Sequence, residues 1–286
     1  MSETSPIRRG FADIDSGQIH YRTAGPVTGN PNGTPLVAIH QSPGSSKQLE
    51  ALLGELGALG RHVIAPDTPG NGDSPALPME QPEIPDLARA AFAAVDSLTT
   101  GPFDLYDSHT GAAIAMEIAI AHPTRVRKIV IDGMGLYSGG LQSEVLDRYA
   151  REISPDAEAT HLMKVWHFCR DQHLFWPYYN RTAQGRLPDG LPDDDYMHDF
   201  SVEVLKALRT YHLSYRAAFR HPKRDRLPLI TQPAMVVCST SDMLFEYFDD
   251  VARLIPGAVK AELRAWSAPD HHSHMARTLH DFLEHA

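Results

Sequence analysis

Cysteine is nearly missing from this chain. Cys169 and Cys238 stand far apart among 286 residues, so there is no disulfide framework and no Cys-x-x-Cys pair for a metal or redox centre. Basic charge is also short: 26 Lys and Arg face 36 Asp and Glu, a formal net charge of -10. That balance argues against electrostatic capture of nucleic acid and against docking on an anionic membrane. No apolar run approaches the roughly 20 residues that cross a bilayer. The segment Met1-Ser2-Glu3-Thr4-Ser5 lacks the basic-then-apolar pattern of a signal peptide. These absences predict a cytoplasmic protein with reduced thiols and a small-molecule ligand, with no nucleic-acid or membrane partner. They leave the oligomeric state open.

What the sequence does have is short buried strands alternating with helices. Apolar residues make up 42%, enough for a sizeable core. Leu36 to His40, Val63 to Asp67, Phe103 to Tyr106 and Lys128 to Ile131 read as strands. Lys47 to Leu59 and Asp86 to Leu98 read as helices between them. Strands this apolar, each followed by a helix, are expected where both faces of a sheet are covered. From Leu136 to about Leu227 the alternation stops, and aromatic, His, Arg and Asp residues dominate a mostly helical insertion. Alternation returns with Ala234 to Cys238, a helix from Tyr247 to Leu254, a strand from Ala261 to Trp266 and a last helix from about Met275.

The most telling stretch is Asp107-Ser108-His109-Thr110-Gly111-Ala112. It joins the Phe103–Tyr106 strand to an Ala-rich helical run, the context in which a sharp turn lifts one side chain above a parallel sheet. Fixing the frame on Gly111 puts His109 at the tip. Ser108 is the rival, but it would place Tyr106 and Thr110 where small residues are needed and would leave Gly111 without a purpose. Asp107 adds a carboxylate beside the tip, with no role that the sequence assigns.

Several stretches, in order along nearly the whole chain, resemble the α/β-hydrolase fold superfamily. Gly17 to Gly25 is similar to its early hairpin strand. His40-Gln41-Ser42-Pro43-Gly44 resembles the His-Gly loop after the third strand, with Gln41 in place of glycine. Asp67-Thr68-Pro69-Gly70-Asn71-Gly72-Asp73-Ser74 closely resembles the family's Asp-x-Pro-Gly-x-Gly-x-Ser turn. The resemblance implies a mostly parallel sheet flanked by helices with a helical cap insertion. The core would comprise residues 1–137 and 226–286, with the cap at 138–225.

The same resemblance implies a site. His109 stands where the family carries Ser, Asp or Cys, so the branch has an x-x-His-Thr-Gly elbow. An imidazole there is a general base for water or a direct nucleophile. The N–H groups of Ser42 and Thr110 match the family's oxyanion donors. Asp242 matches the usual acid position, with Asp132 as the alternative. The triad histidine is expected in Ser267 to His274, where His271 and His272 rank ahead of His274. Trp166, His167, Trp176 and Tyr211 in the insertion are candidate substrate contacts, suggesting a mainly apolar substrate. A metal held by His40, His109 and the loop histidines is the weaker alternative, and no cofactor is expected. The implied activity is cofactor-independent hydrolysis of a small ester, lactone, amide or activated C–C bond. A lyase or isomerase using His109 for proton transfer, or a non-catalytic binding protein, are the other readings.

Overall fold

A computed structural model of the chain describes residues 5–27 and 33–285. Its strands are β1 (Arg8–Ile14), β2 (Gly17–Ala24), β3 (Leu36–Ile39), β4 (Val63–Pro66), β5 (Phe103–Ser108), β6 (Val126–Asp132), β7 (Ala234–Ser239) and β8 (Val259–Leu263). They form one sheet in the order β1-β2-β4-β3-β5-β6-β7-β8. The β1–β2 and β2–β4 pairs are antiparallel, and every pair from β4 to β8 is parallel.

The sheet is buried on both faces because its strands are apolar on both faces. Val37, Ile39, Leu105, Ile129, Ile131 and Val236 pack with α2 (Ile84–Leu98), α3 (Thr110–Ala121) and α9 (Phe248–Leu254). Their neighbours Leu36, Ala38, Tyr106, Val130, Met235 and Val237 pack with α1 (Glu50–Ala58) and α10 (His271–His285) on the other side. The period-2 alternation of side chains therefore feeds two cores. Each fully buried Leu, Ile or Val adds about 1.5–3 kcal/mol by area.

Between β6 and β7 lie α4 (Gly139–Arg148), α5 (Thr160–Leu174), α6 (Asp194–Lys206), α7 (Tyr211–Arg220) and α8 (Lys223–Arg226). They hold an apolar cluster of their own, including Val145, Phe168, Val204 and Tyr215. Its lower side joins the main core through Ala217, Ala218 and Leu227. On α3, the Glu117 carboxylate accepts from Arg226 Nε and Nη2 and bonds His221 Nε2, at 2.7 to 2.9 Å, tying the end of the insertion to the helix beneath it.

Three elements differ from the sequence expectation. Strand β1 was not expected; its sequence, Arg-Arg-Gly-Phe-Ala-Asp-Ile, buries only one residue, as an edge strand does. Strand β8 ends at Leu263, not Trp266. Helix α10 begins at His271, a turn earlier than Met275, because His271 lies on the same buried stripe as Met275, Leu279 and Leu283. No helix among the described residues is long and apolar enough to cross a membrane.

Candidate active site

The bend between β5 and α3 is sharp because of what flanks it. His109 is the N-cap of α3, at φ 52° and ψ -106°. A non-glycine residue at positive φ is uncommon and is held there by its surroundings. Its N–H donates to the Asp132 carbonyl at 3.0 Å. Two residues on, a Cβ at Gly111 would lie 2.6 Å from the Ile39 carbonyl oxygen and 2.7 Å from that of His40. Only glycine lets the helix start so close to β3, which is why Gly111 fixes the frame of the turn.

The imidazole bonds to a carboxylate. His109 Nε2 lies 2.7 Å from Asp242 Oδ2, in the loop after β7. Asp242 Oδ1 accepts the Leu244 N–H at 2.7 Å, and the Trp266 side chain also favours the ionised form of this carboxylate. Burial pushes the Asp242 pKa up, but the His109 charge and these hydrogen bonds outweigh it and hold it below the usual carboxylate range. Burial likewise pushes His109 down, yet Asp242 outweighs it and the net shift is upward. Both shifts point the same way: the pair favours an ionised carboxylate beside an imidazole able to take a proton. The His109 side chain remains 21% exposed, so the ring is open on one side.

Gly133 makes room for this pair. It sits at φ +61°, and a Cβ there would fall 2.8 Å from His109 Cδ2 and 2.9 Å from Nε2. The Cδ2–Nε2 edge of the ring thus rests against Gly133 and Asp242, and Nδ1 lies on the other edge. Among the described residues Nδ1 has no hydrogen-bond partner.

Two more carboxyl groups lie beneath. Asp132 Oδ2 accepts the Tyr106 hydroxyl at 2.8 Å, while its Oδ1 and Asp107 Oδ2 have no partner. Burial, then the Asp242 charge, pushes Asp132 up to about 7. Burial pushes Asp107 well above the usual carboxylate range, and its Oδ1 accepts the Asp132 N–H at 3.4 Å. Ser108 is buried and does not line the cavity beside His109.

That open side faces a cavity of about 50 Å³. His109, Thr110, Met243 and Leu244 form its base, and Tyr137, Tyr149, Trp176, Tyr215 and Phe219 its walls, with Lys223 at one side. A larger cavity of about 300 Å³ lies elsewhere, between Glu80, Gln81 and the exposed side of α7. It contains none of the His109–Asp242 groups, so the chemistry belongs to the smaller one.

The structure separates the residues that the sequence had grouped. Trp176 and Thr110 border the cavity. Trp166 and His167 are exposed on the outer side of α5, since the apolar stripe of that helix runs through Val165, Phe168 and Cys169. Tyr211 is buried inside the insertion, its hydroxyl donating to the Arg151 carbonyl. Ser42 lies outside the cavity lining, across the cis Ser42–Pro43 bond, and its Oγ accepts from Ser214 at 2.9 Å. The loop histidines are not beside His109. His271 Nδ1 donates to the Arg264 carbonyl at 2.8 Å, and His272 meets the His271 ring edge-on at 5.1 Å. Burial, then His271, pushes His272 down to about 4, so both belong to the packing of the helix start. His40 is likewise occupied, donating from Nδ1 to Gln41 and accepting the Thr68 N–H at Nε2. Gly133, Tyr137, Tyr149, Trp266 and Lys223 were missed. A glycine directly after a strand was a readable signal for Gly133; nothing in the sequence marked the others.

Fold and site together define a strand–elbow–helix enzyme architecture with an acid-paired imidazole under an aromatic insertion. The sequence pattern of the alpha/beta hydrolase fold matches residues 34–275, and the chain belongs to that family. A 2-hydroxy-6-oxononadienedioate/2-hydroxy-6-oxononatrienedioate hydrolase of Dechloromonas aromatica is 26% identical over 301 residues, covering 98% of this chain and 94% of that one. An (E)-2-((N-methylformamido)methylene)succinate hydrolase of Acinetobacter baylyi is 29% identical over 56% of this chain and 68% of its own. Four other curated relatives are matched over only 35% to 50% of their length. Among solved structures, the enol-lactonase of Burkholderia xenovorans superposes with a TM-score of 0.70 at 20% identity, over 96% of this chain and 99% of that one.

Proposed function

We propose that the protein is a cofactor-independent hydrolase in which His109 is the general base, held by Asp242, and acts on a small, mainly apolar ester, lactone, amide or activated C–C substrate. The observation that carries this is the 2.7 Å contact between His109 Nε2 and Asp242. In this reading the Nε2 proton lies on the carboxylate side, and Nδ1 is the basic nitrogen on the ring's other edge. In the proposed reaction Nδ1 takes a proton from water and the hydroxide adds to the substrate carbonyl. Asp242 stabilises the resulting imidazolium, which then returns the proton to the leaving group. The developing oxyanion is assigned in this reading to the Thr110 N–H, which has no acceptor among the described residues and belongs to a residue that borders the cavity. The insertion, residues 138–225, acts as the cap over the site. The hydrolase names of the relatives support the reaction class.

The test is turnover of a panel of activated esters and lactones in oxygen-18 water, with wild type, His109→Ala and Ser108→Ala. The reading expects label in the acid product, loss of roughly 10²–10⁴-fold in His109→Ala, and near wild-type rates in Ser108→Ala. Turnover without label makes the enzyme a lyase or isomerase. Activity surviving in His109→Ala, or lost in Ser108→Ala, overturns the assignment of the base.

A further inference from the structure

Lys223 is the ammonium group among the residues that line the cavity, and the proposed reaction does not use it. It follows His221-Pro222 at the start of α8, is 7% exposed, and lines the same cavity as His109. An ammonium group carries three donors. One bonds the Ala218 carbonyl at 2.5 Å, at the end of α7, and the ammonium stands 5.8 Å from the Tyr137 ring centre. No carboxylate pairs with it among the described residues. The carbonyl contact alone accounts for a capping role, but an arginine or lysine that only caps a helix end usually keeps its charge in water. Here the charge is withdrawn into an aromatic cavity with donors to spare, which is costly unless an anion completes the site. Burial pushes its pKa down to about 8.

We propose that Lys223 is the recognition point for an anionic oxygen of the substrate, a carboxylate or enolate, carried on a small apolar or aromatic body seated against Tyr137, Tyr149 and Trp176. The inference rests on the reading of this cavity as the substrate site. It adds a charge requirement that the aromatic walls alone do not impose. With the anion on Lys223 at one side and His109 at the base, a substrate is held at two points and its carbonyl is oriented relative to Nδ1.

The test is equilibrium binding of benzoate and its neutral counterpart benzamide, by calorimetry on the full chain, with no turnover involved. Wild type is expected to bind benzoate roughly ten- to a hundredfold more tightly than benzamide, the range of a charge-assisted hydrogen bond. Lys223→Met is expected to lose that preference while keeping its benzamide affinity, and Lys223→Arg to keep a preference for benzoate. His109→Ala is expected to keep it too. Absence of the preference in wild type, or its persistence in Lys223→Met, overturns the inference. A silent turnover panel alongside an intact benzoate preference would instead overturn only the catalytic reading.

Discussion

At the scale of the residue, the decisive fact is how His109 and the buried acids share charge. Asp242 is held below the usual carboxylate range by the His109 charge and by the His109 and Leu244 hydrogen bonds. Asp132, with only the Tyr106 hydroxyl and one unpaired oxygen, is pushed up to about 7. A carboxyl whose folded pKa is raised binds its proton more tightly in the native state. Its contribution is present below the unfolded value and is lost as pH rises through the folded one. Asp132→Asn is therefore expected to change stability little near about pH 4, and to stabilise the protein by up to roughly 4 kcal/mol near about pH 8. Denaturant melts of both proteins at the two pH values check this; a variant less stable at the higher pH would contradict it. The sequence showed the acid at 242 and the imidazole at 109 but not that they bond each other. It looked instead for a second histidine after β8, because the number of residues between β8 and α10 does not reveal that His271 is held by the Arg264 carbonyl and not by the acid.

At the scale of the element, the site is made by three strand ends. β5 delivers His109, β6 delivers Asp132 and Gly133, and the loop after β7 delivers Asp242. These were the most legible parts of the chain, since apolar runs followed by polar residues mark the carboxyl ends of parallel strands, where ligands bind. The insertion was less legible. Its aromatics were visible as a set, yet which of them face the cavity depends on the rotation of each helix. α5 turns Trp166 and His167 to solvent, while the loop after it brings Trp176 inward. Gly133 shows how tightly the strand ends fit. Gly133→Ala puts a methyl 2.8 Å from the His109 ring and forces a side chain into left-handed backbone. It is expected to cost about 1–2 kcal/mol of stability and to lower turnover roughly tenfold or more by displacing the imidazole. Thermal melts and initial rates check this together. Full activity in the variant would show that His109 need not sit where the structure holds it.

At the scale of the whole molecule, two cores on opposite faces of one sheet give a rigid base, and the insertion rests on it through α7, α8 and the Glu117–Arg226–His221 contact. The fold was readable almost throughout because its signals are local and repeated: buried strands, amphipathic helices and the glycine turn at Asp67–Ser74. That turn is structural. Gly70 and Gly72 adopt φ +80° and +56°, and the Asp67 carboxylate beneath them bonds His20, Ser46 and the Asp73 N–H. What sequence reasoning did not supply is the identity of groups brought together from distant segments by packing alone, Lys223 and Tyr137 above all. The chemistry proposed here joins the two kinds of information: an elbow legible at residue 109 and an acid partner 133 positions later, visible as a partner only in three dimensions.

The measurement that tests this most directly is a nitrogen-15 NMR titration of the His109 ring in wild type and Asp242→Asn. The account predicts that His109 in wild type carries its proton on Nε2 when neutral and titrates above the ordinary histidine value of about 6.5. In Asp242→Asn the titration is predicted to fall below that value, because burial remains while the raising charge is gone. A neutral ring protonated on Nδ1, or a titration unmoved by the substitution, would contradict the pairing on which the proposed base depends.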